Sequence, residues 1–138
     1  MANRKFYRGT AFCSLERELC FLLGSAVIGA SGAVGTVNGL GIKSVTKEST
    51  DGKYTIELED SYKRYMFGEV NFISASGSGV AKVEIIATPS TFQSGFTSTK
   101  KVVIQCFDYA GAAVNPASGS VMCFTVTVRN SSEGPADI

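Results

Sequence analysis

The sequence predicts an all-β fold, an antiparallel β-sandwich or jelly-roll-like domain with an extended Gly-rich N-terminal segment. The chain has 138 residues, which is the size of one domain. From residue 42 onward, short stretches of alternating apolar and polar residues are separated by turn-forming residues. No long helical pattern follows residue 24. Many short strands with closely spaced turns are typical of sandwiches and jelly rolls.

The clearest strand is predicted over residues 53–59. Every second residue from Tyr54 onward is apolar and the residues between are polar, so one face suits a core and the other suits water. The Asp51-Gly52 pair is a tight-turn signal and predicts a hairpin with residues 44–48. Further strands are predicted over residues 65–74, with Gly68 as a candidate bulge, and over 80–87, 100–107 and 121–129.

Residues 14–30 fit either a helix or a strand. Ser14 is a candidate N-cap and Gly24 a candidate C-terminal stop for a short helix. The apolar residues between Phe21 and Ile28 fit a strand equally well, and periodicity does not separate the two interpretations.

A Gly-rich stretch over residues 24–41 contains no charged residue. Glycine at this density weakens regular structure, while the Val, Ile and Leu residues among the glycines need to be covered. The sequence therefore predicts an N-terminal arm and Gly-rich segment over residues 1–41. The β-sandwich domain is predicted over 42–132 and a C-terminal tail over 133–138.

The N-terminal arm holds the candidate partner-interface residues. Basic and aromatic side chains are interleaved there, at Arg4, Lys5, Phe6, Tyr7 and Arg8. Aromatic and arginine side chains are frequent anchors of protein interfaces, so we expect this arm to dock on a partner. The alternative is an ordinary first strand or a frayed terminus with solvated charges.

The composition excludes several classes of function. Thirteen basic and twelve acidic residues give a net charge of +1, which is too little for a dedicated nucleic-acid binder. The chain contains no histidine, which excludes catalytic pairs and metal sites that depend on imidazole. The apolar run over residues 19–30 is too short and too interrupted by glycine to span a bilayer. Charged residues directly before it argue against a cleaved signal peptide. We expect neither a nucleic-acid nor a membrane partner.

The four cysteines predict no metal site. Cys13, Cys20, Cys106 and Cys123 lack the close pairing of zinc-binding motifs. The last two lie in apolar strand contexts, where a thiol packs as a small apolar group. We therefore expect reduced thiols of a protein made in a cytoplasm.

The acidic residues provide no persuasive catalytic group. Glu57 and Glu59 share one strand face, as a glycosidase pair would, but a solvated face with Lys53 nearby is the commoner arrangement. Asp108 and Tyr109 stand before a glycine and fit either a ligand contact or an ordinary turn. The sequence therefore favours a non-enzymatic protein without a cofactor.

Four segments carry a resemblance to a known family. They are the strand GIKSVTK at residues 41–47, its hairpin partner GKYTIEL at 52–58, the strand and turn KVVIQCFDYAG at 101–111, and the closing NPASGSVMCFTVTVRNS at 115–131. In this cadence of strands and turns the chain resembles the head decoration, or cement, proteins of tailed bacteriophages. A similar cadence occurs in trimeric C1q-like heads and in tail-fibre tips.

The resemblance implies a virion structural protein that is assembled in the host cytoplasm and stabilises the capsid surface by bridging neighbouring major capsid subunits. It also implies self-association, most simply as a homotrimer. The alternative is a trimeric β head that binds a receptor or a carbohydrate. Nine phenylalanines and five tyrosines in a small domain agree either with a chain that covers apolar surface by association or with a roomy core.

Overall fold

The computed structural model describes residues 19–75, 79–86 and 99–129. This part of the chain is nearly all β, and the predicted all-β sandwich is confirmed. A single 3-10 turn, Ala30–Gly32, follows the first strand. The strands are β1 (Leu19–Ile28), β2 (Val34–Gly39), β3 (Ile42–Lys47), β4 (Lys53–Leu58), β5 (Arg64–Ile73), β6 (Lys82–Ile85), β7 (Lys101–Phe107) and β8 (Val121–Arg129).

The strands form two four-stranded antiparallel sheets. Sheet I has the order β2-β1-β8-β5, and sheet II has the order β3-β4-β7-β6. The pairs β1–β2, β3–β4 and β6–β7 are neighbours both in sequence and in a sheet. The chain passes from one sheet to the other after β2, β4, β5 and β7. The predicted hairpin around Asp51-Gly52 is confirmed as the β3–β4 pair.

The core lies between the two sheets and follows the alternation in the sequence. In β4 the alternate residues Tyr54, Ile56 and Leu58 are fully buried, as the pattern predicts. In β8 the inward residues begin at Met122 and continue at every second position. Side chains of this kind contribute roughly 1.5–3 kcal/mol each when buried. The buried apolar residues are Leu22, Ala26, Ile28, Ile42, Val45, Tyr54, Ile56, Leu58, Val102, Ile104, Cys106, Met122, Phe124, Val126 and Val128.

The part of the N-terminal segment that the structure describes, residues 19–41, lies within the sandwich. Residues 19–41 supply β1 and β2, and β1 lies inside sheet I between β2 and β8. The register of β1 with β8 is continuous from Leu19↔Arg129 to Val27↔Val121. The helix alternative is likewise replaced by a strand from Leu19 onward, and residues 14–18 lie outside the described residues.

Glycine in this segment serves close packing. A Cβ atom at position 24 would lie 2.5 Å from the Phe124 ring, so the absence of a side chain at Gly24 lets that ring lie against the β1 backbone. Gly41, in the crossing from β2 to β3, has a φ of +80°, a conformation that L side chains rarely adopt. The uncharged Gly-rich stretch is therefore part of the sandwich and supplies the end of β1 and the edge strand β2.

Strand β5 also departs from the sequence prediction. The expected bulge at Gly68 is displaced, because the register shifts between Tyr65 and Phe67. Met66 is the extra residue there. A bulge moves the residues after it to the opposite face of the sheet, so Tyr65 points toward the core while Phe67 is exposed.

Polar side chains fasten the loops at one end of the sandwich. The Asn115 side chain accepts a hydrogen bond from the Gly52 backbone N–H at 2.7 Å and donates one to Asp51 Oδ1 at 2.8 Å. The Tyr54 hydroxyl donates a buried hydrogen bond to the carbonyl of Gly32 at 2.8 Å. These bonds join the β3–β4 turn to the β7–β8 loop and to the 3-10 turn, and they give this polar cluster a structural role.

We predict that Gly24→Ala lowers the free energy of unfolding by about 1–3 kcal/mol, because the added methyl group forces the Phe124 ring to move. The matched control is Gly29→Ala, where a Cβ would meet its nearest neighbour, the Ala33 carbonyl oxygen, at 3.6 Å. The control should be as stable as the parent or slightly more stable. Urea denaturation of the three proteins measures the difference. Equal midpoints for the two variants would show that residue 24 does not pack in the core.

Burial raises the pKa of three acidic groups in the sandwich. The pKa of the Cys106 thiol rises to about 12, and burial is also the main cause that raises the pKa values of Tyr54 and Tyr65 to about 12. In the unfolded chain these groups ionise near their ordinary values, about 8.5 for the thiol and about 10 for the phenols. The folded state therefore holds protons that the unfolded state releases, and stability is lost as pH rises from about 9 to 12.

We predict that the Cys106→Ala variant separates the contribution of the thiol to this loss. At neutral pH the variant is less stable than the parent, because it leaves a small cavity in the core. The difference in unfolding free energy between the two proteins should shrink as pH rises above about 9, since only the parent loses stability through this thiol. Denaturant titrations at a series of pH values measure it. A difference that stays constant up to about pH 11 would contradict the assignment.

Candidate interaction surface

The outer face of sheet I is apolar, and we call it the apolar face. It consists of the side chains of β1, β8 and β5 that point away from the core. In β1 the outward residues Phe21 and Leu23 are 51% and 64% exposed, whereas the intervening Leu22 is buried. In β5, Phe67 and Ile73 are 56% and 66% exposed. Exposed apolar groups are ordinary when scattered, but contiguous ones mark interaction sites.

The strand register arranges this face in levels across three strands. Phe21 of β1 pairs with Thr127 of β8, and Thr127 pairs in turn with Phe67 of β5. The three residues therefore lie at one height along the strands, which we call a level. Thr127, between the two phenylalanines, is only 7% exposed although it lies on the outer side. Further along the strands, the next apolar level consists of Val27, Val121 and Ile73.

Two levels between these apolar ones carry polar groups. Ser25, Cys123 and Asn71 form one level. At the other, Leu23 and Glu69 stand on either side of Thr125. The Asn71 side-chain amide donates a 3.0 Å hydrogen bond to the Glu69 carboxylate, which directs that carboxylate along β5. The middle of the apolar face is therefore hydrogen-bonding. Beyond the Phe21 level the outward positions are Leu19, Arg129 and Arg64, so the face is basic at that end.

A shallow depression lies beside Leu23. Small residues on β1 and β2 produce it, because Gly24 pairs with Gly39 and Ser25 pairs with Asn38. Its volume is about 280 Å³. The depression gives the apolar face relief into which a side chain from outside can fit.

The outer face of sheet II is charged, and we call it the charged face. Lys43 Nζ donates a 2.8 Å hydrogen bond to Glu57, and Lys82 pairs with Glu84 at 2.7 Å. Lys82 Nζ also lies 5.3 Å from the centroid of the Phe107 ring. Exposed ion pairs of this kind contribute little to stability and keep a surface solvated. The sandwich thus has one ordinary solvated face and one face that is apolar.

The carboxylate pair considered from the sequence lies on or next to the charged face. The hydrogen bond from Lys43 is the main cause that lowers the pKa of Glu57 below its ordinary value. Glu57 is therefore an ionised member of a surface ion pair. Glu59 follows the end of β4, and its backbone N–H donates to the Gly41 carbonyl. The arrangement is that of a solvated sheet surface.

The Asp108-Tyr109 pair is held in a turn. Asp108 Oδ1 accepts hydrogen bonds from the backbone N–H groups of Ala110 and Ala112 at 2.8 and 2.9 Å. This bonding fits the turn-forming interpretation of Asp108. Tyr109 is 91% exposed, so its ring is presented to solvent at the end of the sandwich.

The candidate partner-interface residues of the N-terminal arm lie outside the residues that the structure describes. They are Arg4, Lys5, Phe6, Tyr7 and Arg8, and Cys13 also lies outside. Cys20, Cys106 and Cys123 are thiols rather than disulfides.

The described ranges offer little that suits a metal ion, a membrane span or a small molecule. Among residues 19–75, 79–86 and 99–129, no three or more Cys, Asp or Glu side chains are grouped to hold a metal ion. In the same ranges no helix is long and apolar enough to cross a membrane. A cleft of about 200 Å³ lies between β5 and β6, lined by Phe72 and Val83 among others. Small-molecule sites usually enclose about 300–1,000 Å³, so this cleft is small for one.

Comparison with protein-family models, with curated proteins and with solved structures finds no match to the chain. The interpretation of the surface therefore depends on its own geometry.

Sequence reasoning missed the apolar face, although one signal for it was present. Residues 19–23 are apolar at every position, as in a strand with no polar face. The contribution of β5 had no such signal. Simple alternation would place Phe67 on the same face as Tyr65, and the bulge at Met66 separates them.

Proposed function

We propose that this protein is a non-enzymatic structural protein of a virion, a decoration protein that stabilises a phage head by bridging neighbouring major capsid subunits. In this proposal it is assembled in the host cytoplasm, acts as a homotrimer and resides on the capsid surface. The resemblance in strand and turn cadence supports the class of protein. The contrast between the apolar face and the charged face is the observation that carries the mechanism.

A decoration protein needs two kinds of surface. One joins its copies into a stable unit, and the other contacts a shell that was assembled beforehand. The apolar face suits the first role, because permanent interfaces between copies are more apolar than the rest of a protein surface. The charged face and the loops remain open for the second role, where polar and charged groups favour specificity.

A second candidate function is that of a trimeric β head that binds a receptor or a carbohydrate. Tyr109 favours it, because an exposed aromatic ring on a turn fixed by Asp108 can present an apolar surface to a ligand. Both candidates share the apolar face as a contact between copies. They differ in the partner at the rest of the surface.

We predict that the purified chain co-sediments with empty capsids of the virus that encodes it and saturates at a fixed ratio to the major capsid protein. The Tyr109→Ala variant should bind capsids with unchanged affinity, since the capsid contact does not require this ring. A glycan array probed with the same two proteins tests the second candidate. Glycan binding that Tyr109→Ala abolishes, together with no capsid binding, would overturn the decoration function in favour of the β head. Failure to bind either probe would contradict both candidates.

A further inference from the structure

We infer that copies of this chain contact one another through the apolar face, about a symmetry axis that runs parallel to the strands. In this arrangement the β1 side of one copy packs against the β5 side of the next, and β8 lies nearest the axis. The inference deepens the proposed function, because it assigns the contact within the proposed homotrimer. It requires only that the assembly is cyclic.

The first argument comes from the levels of the face. Rotation about an axis parallel to the strands leaves every residue at its own height along that axis. Phe21 of one copy therefore meets the level of Phe67 of the next, since both are level with Thr127. Val27 likewise meets the level of Ile73. At these two heights both flanking strands carry apolar side chains, which is the pattern that such an axis favours.

The second argument comes from the polar levels. At the height of Cys123, Ser25 of one copy meets Asn71 of the next, and both can donate and accept hydrogen bonds. At the height of Arg129, Leu19 of one copy meets Arg64 of the next. At the height of Thr125, Leu23 meets Glu69, whose carboxylate accepts a hydrogen bond from Asn71 at 3.0 Å. That hydrogen bond comes from a neutral amide and does not offset the charge of Glu69, so the carboxylate has to stay at the solvent-exposed rim of the contact.

The orientation of the axis follows from the same levels. An axis in the plane of the face but perpendicular to the strands would invert the heights. It would place Phe21 against Val27 of the other copy, and Leu23 against Ser25. In that arrangement the large Phe21 ring would face the smaller Val27 side chain. The apolar Leu23 side chain would face the Ser25 hydroxyl. The parallel axis therefore accounts better for the observed pairs.

Size and charge favour a second copy over a different partner. Three strands about 4.8 Å apart, each about ten residues long at about 3.3 Å per residue, cover a flat area on the order of 500 Å². Side-chain relief raises the accessible area, and a two-copy assembly would bury all of it against one partner, where a standard interface uses roughly 800 Å² on each side. In a trimer the same face is divided between two neighbours. The charged side chains of the face are Glu69 in its middle and Arg64 and Arg129 at one end, at different heights, so complementarity between copies has to come from shape and level. The face supplies both halves of that complementarity itself.

Engineered disulfides test the contact in the full-length chain. The test variant is Val27→Cys with Ile73→Cys, in a background with Cys13→Ala, Cys20→Ala and Cys123→Ala. Cys106 is retained because it is fully buried. Within one chain, positions 27 and 73 are separated by β8, about 10 Å apart, which exceeds the roughly 4.4–6.8 Å between the Cα atoms of a disulfide. Any disulfide between them must join two copies.

Mild oxidation should convert most of this variant into covalent oligomers on a non-reducing gel, ending at the size of the native assembly. The matched control, Val27→Cys with Phe67→Cys, places the thiols about 20 Å apart in height and should remain non-covalent. A second test variant, Phe21→Cys with Phe67→Cys, pairs two positions at the other apolar level. It replaces the first test variant if circular dichroism shows that the first folds poorly. No cross-linking in either test variant, or equal cross-linking in the control, would overturn the inference.

The same proteins separate this inference from the proposed function. A cross-linked assembly that fails to bind capsids would leave the contact between copies standing and overturn the decoration function. Capsid binding by a chain that never cross-links would do the reverse.

Discussion

The pairing of β1 with β8 is the constraint on which the rest of this structure depends. It holds nine successive residues of β1 in register with β8, and Gly24 lets the Phe124 ring pack directly on the β1 backbone. This pairing places β1 inside sheet I, between β2 and β8. It also creates the apolar face, because β1 carries apolar residues on both sides. The side with Leu22, Ala26 and Ile28 points toward the core, and the opposite side points outward. The outward residues are exposed as a consequence of the same pairing that completes the core.

The two outer faces show how one sandwich can have two environments. Sheet II presents lysine–glutamate pairs to solvent, which is usual for an antiparallel sheet with one wet face. Sheet I presents phenylalanine, leucine, valine and isoleucine instead. Surfaces of that kind promote association, and natural proteins normally either cover them or break them with charge. Apolar side chains flank β8 on both sides at two levels of the face, and an assembly of copies is the proposal that explains them.

Much of the fold was predictable from the sequence because alternation in β4 and β8 is unambiguous, and the Asp51-Gly52 turn is a strong local signal. The N-terminal third was not predictable in the same way. An apolar strand rich in glycine carries no alternation, and its place in a sheet is determined by tertiary pairing with β8, about a hundred residues away in sequence. The site was harder still. The exposure of Phe67 depends on a bulge at Met66, which no local sequence pattern predicts. The residues expected to contact a partner, Arg4 to Arg8, lie outside the described structure.

Sedimentation equilibrium at micromolar concentration tests most directly whether the apolar face joins copies of the chain. The account predicts a mass that is a multiple of 14.5 kDa, three-fold for the proposed trimer, and a shift to the single-chain mass in Leu23→Asp. Leu40→Asp is the matched control, because Leu40 is 91% exposed at the turn after β2 and lies off the face, so its mass should equal that of the parent. A parent protein that sediments as a single 14.5 kDa species, or a Leu23→Asp variant that keeps the parent's mass, would contradict the account.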